Sequence, residues 1–551
     1  MKKQGRRRLT SARTALAGLA ALWGVCAVAA PATAGLVVNT DKGPVRGTEV
    51  NGIREFLGIP YAAPPVGDSR WRPPVPHAPW TTTRDASQFA NHCPQGPSPF
   101  GLASDTEDCL FLNVFTASDG DHDRDDRHRP VMVWIHGGAL VVGESNDFDP
   151  TNLVNDGVVV VTINYRLGAL GFLAHPALAA EATDPDHDRD TDANSAGDYG
   201  LMDQQLALRW VQDNIAAFGG DPDDVTIFGE SAGGLSVFSQ LASPASRGLF
   251  RKAIVESGAY ALNTQSLATA EAAGTAFATA AGCSSQTAAC LRGLSVATIL
   301  AHENPGGYTP NVDGEFLPMP LAVAFATGQF NHVPVIQGTN HDEWRLFTSL
   351  DFDLLGHPIG NDETDYENAL ATLVRSSTAA ALVAKQYPLA SFASADLAFA
   401  AAGTDLIFAC PALSADLSLT KFVPLFAYEF NDENAPQDFL PPVTFPYGAA
   451  HASELQYLFT LPTVSSIGLP RTPLNADQED LAEAMVRYWT NFAKQGTPNS
   501  FGVPAWQQFD AALDDMQSLV PPTPTGETNF ATAHHCAFWA PFLAAEGVTT
   551  K

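Results

Sequence analysis

Gly229-Glu230-Ser231-Ala232-Gly233 is a short stretch whose residue types are suited to covalent chemistry. It follows the apolar, strand-prone run Val225-Thr226-Ile227-Phe228 and precedes a helix-prone segment over residues 232–241. A serine at a strand-to-helix junction sits on a sharp turn that projects its hydroxyl. Glycines on either side let neighbouring backbone approach without a Cβ clash. The positive end of the following helix favours negative charge developing at the site. As a bare pattern GxSxG is weak, arising by chance in about one of every few chains of this size. The strand–turn–helix context is what marks Ser231 as a nucleophile.

A serine alone attacks poorly; it needs a base and a set of donors for the oxyanion. His136-Gly137-Gly138-Ala139 follows the apolar run Val131-Met132-Val133-Trp134-Ile135, where a glycine-rich loop can present backbone N–H groups. The amides of Gly138, Ala139 and Ala232 are therefore expected to receive the oxyanion of a tetrahedral intermediate. One such donor is typically worth about 3 kcal/mol of barrier. Without Ser231 the same loop would read as an ordinary glycine turn. Residue types alone do not pick out the base or its acidic partner, because 14 histidines and 60 acidic residues leave many candidates.

The elements that must hold these groups alternate between strand-like and helix-like segments. Val158-Val159-Val160-Val161-Thr162-Ile163 is a second buried strand, and residues 201–218 read as a helix with Leu201, Leu208, Val211 and Ile215 on one face. Gly219-Gly220 should end that helix. Ala253-Ile254-Val255, Val333-Pro334-Val335-Ile336 and residues 424–430 continue the strand series. Fully apolar strands separated by helices predict an α/β fold with a mostly parallel sheet covered on both faces. A chain of 551 residues suggests about three domains on length alone. No linker-like stretch or internal repeat divides it, so one large domain over residues 35–551 fits better.

Residues 1–34 read as a secretory signal peptide. Lys2, Lys3, Arg6, Arg7, Arg8 and Arg13 form a basic head, residues 14–30 an apolar run, and Ala32-Thr33-Ala34 a small-x-small end. A membrane span is disfavoured, because the run is short for about 20 residues and is interrupted by Gly24 and Pro31. Arg6-Arg7-Arg8-Leu9 also permits a twin-arginine route. Lipidation of Cys26 is disfavoured by the bulk of Val25 before it. Cleavage after Ala34 would move the formal charge from −30 to −36, giving a secreted or periplasmic protein. So acidic a surface repels phosphate backbones, which argues against a nucleic-acid partner.

Six of the seven cysteines lie beyond residue 34, an even number in an exported chain, which favours disulfides. There is no CxxC or HExxH pattern, so neither a zinc site nor any other cofactor is expected. Asp184, Asp186, Asp188, Asp190 and Asp192 place a carboxylate at every second position. Calcium favours oxygen-rich loops of this kind. Arg189 stands at the sixth position where a calcium loop wants glycine, and no glutamate stands at the twelfth, so a solvated acidic loop is the preferred reading.

The sequence resembles the type-B carboxylesterase family, which includes cholinesterases, bile-salt-activated lipases and fungal lipases. The resemblance rests on Gly58-Ile59-Pro60-Tyr61-Ala62, Glu107-Asp108-Cys109-Leu110-Phe111-Leu112-Asn113 and Asn164-Tyr165-Arg166-Leu167-Gly168. Gly200-Leu201-Met202-Asp203-Gln204, Phe218-Gly219-Gly220-Asp221-Pro222 and the serine pentapeptide extend it over almost the whole chain beyond residue 34. It implies an α/β-hydrolase fold and a triad in the order nucleophile, acid, histidine. Gly338-Thr339-Asn340-His341-Asp342-Glu343 looks like the family's acid loop, implying Glu343, with adjacent Asp342 as the alternative. The segment from Gly448 to Leu455 looks like its histidine loop, implying His451; His534 and His535 also satisfy the order but adjoin Cys536. Ser257 resembles a serine supporting the acid–histidine pair, or is a plain turn residue. Arg70 with Glu107 and Arg166 with Asp203 resemble structural ion pairs. The family pattern further implies disulfides Cys93–Cys109, Cys283–Cys290 and Cys410–Cys536.

Three functions are compatible with these residues: a carboxylesterase on small or aryl esters, a lipase or sterol esterase, and a catalytically silent binding protein. Silent members usually lack part of the triad, and every part is present here. Only residues 94–108 lie between Cys93 and Cys109, which leaves little chain for a helical lid. That loop contains Phe100 and no tryptophan to hold a quaternary ammonium, so choline specificity is disfavoured. Gly306 and Gly307 before Tyr308 suggest room in the acyl pocket. The expected partner is a small-molecule ester, and the sequence says nothing of oligomeric state.

Overall fold

The computed structural model describes residues 36–118, 128–182, 196–304, 307–462 and 468–544. Residues 1–34, expected to be a signal peptide and including Cys26, and the acidic run Asp184, Asp186, Asp188, Asp190 and Asp192 lie outside the described residues. An eleven-stranded sheet runs through the molecule. Its strands are β1 (Thr48–Val50), β2 (Ile53–Pro60), β3 (Phe111–Ala117), β4 (Arg129–Ile135), β5 (Val159–Ile163), β6 (Gly220–Glu230), β7 (Lys252–Glu256), β8 (Val335–Asn340), β9 (Leu425–Phe430), β10 (Met516–Leu519) and β11 (Thr525–Glu527). The spatial order is β11-β10-β9-β8-β7-β6-β4-β5-β3-β2-β1. From β5 through β10 neighbouring strands are parallel, and antiparallel pairs occur only towards the two edges.

Strand alternation explains why the central runs are apolar throughout. Val131, Val133 and Ile135 of β4 enter one core, while Met132 and Trp134 enter the other. The same division separates Val159 and Val161 from Val160 in β5, and Ala253 and Val255 from Ile254 in β7. Both faces are therefore dry, and each needs helical cover. Helix α1 (Tyr199–Asn214) and helix α2 (Ala232–Ala242) contribute Leu201, Leu208, Val211, Leu235 and Phe238 to the first core. A later helix, Ala476–Gln495, covers the second with Leu481, Met485, Trp489 and Phe492. It starts on a capping box between Asn475 and Gln478 and stops at Gly496, whose φ of 73° suits a residue without Cβ.

Two boundaries differ from the sequence expectation. The helix expected over 201–218 tightens to a 3-10 turn over Ile215–Phe218 before Gly219. The strand expected from Val333 begins at Val335 and runs on to Asn340. Pro334 has no N–H for the ladder, and Val335 N is the first to donate, to Pro424 O at 2.9 Å.

The ion pairs and crosslinks suggested by the resemblance are present. Arg70 grips Glu107 through two bonds of 2.7 and 2.5 Å, and Arg166 grips Asp203 through two of 2.8 and 2.7 Å. Disulfides join Cys93 to Cys109, Cys283 to Cys290 and Cys410 to Cys536. One helical segment, Ala395–Leu419, is long and apolar enough to cross a membrane, but most of it is buried inside the protein as a core helix would be. The longest disulfide loop spans 126 residues. Replacing Cys410 and Cys536 together by alanine is expected to lower stability by about 5 kcal/mol from chain entropy. The urea midpoint of the double variant, compared under non-reducing conditions, tests this; an unchanged midpoint would refute it.

Candidate active site

Ser231 stands between β6 and α2 with φ 55° and ψ −119°, a conformation that side chains rarely adopt. Its N–H donates to Glu256 O at 2.8 Å, pinning the turn to β7. The turn is possible because the following glycine is tightly enclosed. A Cβ on Gly233 would stand 1.9 Å from Ile135 O of β4. The Ser231 hydroxyl has no hydrogen-bond partner among the described residues and opens into a cavity of about 940 Å³.

Glu343 follows β8 and is completely buried. Its Oε1 accepts from Ser257 Oγ at 2.5 Å, Thr339 Oγ1 at 2.7 Å and Asn340 N at 2.8 Å. Its Oε2 lies 2.5 Å from His451 Nδ1. The structure thus brings Glu343, His451 and Ser257 together. Asp342 is occupied elsewhere: it accepts from Ala449 N at 3.1 Å and pairs with Arg345 at 2.8 Å. The other nitrogen of His451, Nε2, faces Glu230 Oε1 at 3.1 Å. His451 and Ser231 both line the cavity, with Gly137, Gly138 and Ala139 on the adjoining wall. Gly138 (φ 99°) and Ala139 (φ 54°) are both left-handed, and a Cβ on Gly138 would stand 2.1 Å from Val142 O. Ala232 begins α2 beside Ser231.

The carboxyls behind the serine shape the electrostatics. Burial pushes Glu230 up to about 7, with His451 opposing and Glu343 reinforcing the shift. Burial alone would lower His451, but the Glu230 and Glu343 carboxylates and the bond from Glu343 outweigh it, so the imidazole is raised above its usual range. Glu256, bonded to Trp489 Nε1 at 3.0 Å, is pushed by burial up to about 8. Burial also raises Glu454, bonded to Asn340, above the usual carboxyl range. The part played by Glu230 was not anticipated, although it lies inside the serine pentapeptide. Thr339 and Asn340 lie in the acid loop, but nothing in their residue types marks them as donors to Glu343.

His534 and His535 do not approach the serine. His534 is sandwiched between Asp405 and Glu429, at 2.6 Å from each, and is buried. Burial lowers its proton affinity, but the two carboxylates overcome this and hold it at about 10. Asp405 opens the π-helical turn Asp405–Ala409, which carries Phe408 to 5.0 Å from the His451 ring, beside Phe347 at the same distance and stacked on it at 5.8 Å. Such turns concentrate at functional sites. Among the described residues His341, Glu429 and His534 also form a cluster spaced for a metal ion. Both nitrogens of His534 already meet carboxylates, so its geometry suits an imidazolium. No metal role is assigned.

The sheet order, the strained serine turn after β6 and the buried acid–histidine pair define an α/β-hydrolase. The family model described as "Carboxylesterase family" matches residues 34–539. The chain is 36% identical over 515 residues to an acylcarnitine hydrolase of Mus musculus, covering 88% of this chain and 87% of the relative. It is 34% identical to a para-nitrobenzyl esterase of Bacillus subtilis (strain 168), covering 86% and 93% of the two chains. A solved structure of a PNB esterase superposes with a TM-score of 0.75 at 31% identity, over 91% of this chain and 98% of that one. This chain belongs to the carboxylesterase family, and it is a carboxylic-ester hydrolase.

The His534 sandwich has a measurable consequence. A histidine held at about 10 when folded, against about 6.5 unfolded, contributes stability that is complete below pH 6.5 and lost as pH rises through 10. His534→Gln should destabilise by about 3 kcal/mol, because two carboxylates lose their buried partner. It should also flatten the fall in stability between pH 6.5 and 10, as read from urea midpoints. An alkaline slope identical to wild type would refute the assignment.

Proposed function

We propose that Ser231 is the nucleophile of a Ser–His–Glu triad acting on small or aryl carboxylic esters through an acyl-enzyme. One observation carries the reading: an acid–histidine pair at 2.5 Å opens onto the same cavity as a serine held on a strained strand–helix turn. Ser231 Oγ attacks the ester carbonyl carbon, and its proton passes to His451 Nε2. The amides of Gly138, Ala139 and Ala232 receive the oxyanion. As the tetrahedral intermediate collapses, the alcohol departs with the proton from His451. Water then repeats the sequence on the acyl-enzyme, releasing the acid and restoring the serine. Glu343 holds the imidazole tautomer and stabilises its cation, and its other donors hold the carboxylate in position. In the resting arrangement Nε2 faces Glu230, so it must exchange that contact for Ser231 Oγ; catalytic hydrogen bonds often tighten only with substrate bound.

The cavity suits a compact ester. At about 940 Å³ it lies within the range of drug-sized pockets. Residues 94–108 contain no helix and close on themselves through the isolated bridges Gln95–Ser104 and Ser98–Gly101. This supports access for soluble substrates without an interfacial lid. A lipase-like reading gains from one observation, the apolar wall of Leu346, Phe347, Leu350, Leu373 and Phe399. An acyl-chain-length series separates the two. Short soluble esters should saturate the enzyme below their solubility limit, whereas a rate that jumps when droplets appear would favour the lipase. We also propose a cleaved signal over residues 1–34, a single domain over residues 35–551 and an extracytoplasmic location. The three disulfides support that location.

Ser231→Ala should retain its fold and lose turnover by about a million-fold. A fluorophosphonate probe should label the wild type once, on the peptide spanning Gly229 to Gly233. A residual rate within about tenfold of wild type, or labelling elsewhere, would end this reading. A pH profile tests the Glu230 contact. His451 must be neutral to accept the proton, so kcat/KM should rise through an acid limb. Glu230→Gln removes a negative charge facing Nε2 and should move that limb to lower pH by about one unit. A limb that stays in place would show that Glu230 does not govern the imidazole.

A further inference from the structure

The oxyanion loop is held in a conformation that its own residues do not favour. Gly138, Ala139 and Leu140 are left-handed in succession, with φ of 99°, 54° and 62°. Residues other than glycine keep such angles only where their surroundings over-determine them. Inside the loop, Gly138 O accepts from Val141 N and Val142 N, each at 3.0 Å. The other two carbonyls are anchored from outside. Leu140 O accepts from Gly168 N at 2.7 Å, and Ala139 O accepts a longer bond from Tyr308 N at 3.5 Å. Gly307 closes on the same carbonyl, since a Cβ there would stand 3.1 Å from Ala139 O. The two anchors are far apart in the sequence, and one side chain joins them.

That side chain is Glu303. It follows the short helix Val296–His302, a few positions ahead of Gly307 and Tyr308, and its Oε1 accepts from Ala169 N at 2.8 Å. Trp71 Nε1 donates to Ala169 O at 2.7 Å, which leaves the Ala169 N–H to Glu303. Gly168 makes room for the carboxylate. A Cβ at this position would stand 2.0 Å from Glu303 Oε1, and its φ of 53° is one that glycine adopts most readily. Glu303 itself does not line the cavity. Burial pushes its carboxyl up to about 7, with the bond from Ala169 opposing. Protonated or ionised, it still offers Ala169 N an acceptor oxygen.

We propose that Glu303 is a positioning residue of the oxyanion hole, setting the Gly138 and Ala139 amides through Gly168 and Leu140. The inference rests on the esterase reading of Ser231 and deepens it. Loss of the Glu303 contact frees the turn at Gly168, and with it the anchor on Leu140 O. The left-handed residues then relax, and their N–H groups turn away from the place where the oxyanion forms. The loss falls on the transition state, because an oxyanion leans on these donors far more than the ester carbonyl does. A misplacement of about 1 Å in such a group can cost about a hundredfold in rate.

Three variants separate reach from charge. Glu303→Leu removes the acceptor, Glu303→Asp keeps the acid but falls a methylene short of Ala169 N, and Glu303→Gln keeps the reach. With p-nitrophenyl acetate, the Leu and Asp variants should lose about ten- to a hundredfold in kcat while KM stays within about threefold. Glu303→Gln should retain most of the wild-type rate. A pair of ketones reports on the hole itself. Ser231 Oγ adds reversibly to the carbonyl carbon of a hexyl trifluoromethyl ketone, its proton passes to His451, and the carbonyl oxygen becomes an alkoxide in the hole. The matching hexyl methyl ketone binds chiefly as the unreacted carbonyl. The Leu and Asp variants should lose affinity for the fluorinated ketone in step with kcat, and keep their affinity for the methyl ketone. A kcat unchanged in both, a loss confined to KM, equal weakening of both ketones, or a Gln variant as impaired as Leu would each overturn the positioning role. If Glu303→Leu does not fold, the Asp variant carries the test. Wild type keeps the two readings apart. If it turns over and is labelled at Ser231 while the Leu and Asp variants match it, the esterase stands and the Glu303 role falls. If wild type is unlabelled and binds the two ketones alike, the esterase reading has failed and the Glu303 role falls with it.

Discussion

The carboxylate of Glu343 sits where no water reaches it, and four donors from three segments converge on its two oxygens. Ser257 comes from the end of β7, Thr339 and Asn340 from the end of β8, and His451 from a loop more than a hundred residues further along. A carboxylate in such a place would be costly to bury if any segment were displaced. The same group that orients the imidazole therefore also fixes the relative positions of the strand ends. Precision at the histidine is a by-product of satisfying a charge. Parallel strands make this convergence possible, because their carboxyl ends all open on one edge of the sheet.

Behind that centre the protein gathers further carboxyls in Glu230, Glu256 and Glu454, all buried and all pushed upward by burial. Burial disfavours the charged form of each of these three, so negative charge does not accumulate freely behind the imidazole. The imidazole accordingly feels chiefly Glu343 on one side and a partly ionised Glu230 on the other. The π-helical turn presses Phe408 against the imidazole ring, and the His534 ion sandwich holds that turn from the far side. The aromatic contact on His451 thus depends on an ionic one that lies outside the cavity.

Much of this was legible in the sequence, for reasons that differ between residues. The strands declared themselves because both faces of the sheet are dry, so Val131 to Ile135 and Val158 to Ile163 could contain almost nothing polar. Ser231 was marked by local geometry, since a strained turn needs glycines within two residues. Glu343 and His451 had no such local signature, and only the resemblance to a family singled them out. Their pairing is a contact across 108 residues of sequence, which no spacing rule encodes. The Glu230 contact and the π-helical turn stayed hidden for the same reason: each depends on what lies across a cavity or behind a helix. Strand starts erred where Pro334 removed a ladder donor. The acidic run from Asp184 to Asp192 falls outside the described residues.

The crosslink between Cys410 and Cys536 encloses β9, the His451 loop and β10 within a single covalent ring. Phe501, fully exposed on the surface, lies inside that ring. A protease cutting the backbone beside Phe501 would therefore not divide the molecule. The two pieces would stay joined through sulfur and run apart only after reduction, and the buried contacts of His451, formed well before the cut, would remain in place. A nick at such a site is a scar and not a severance.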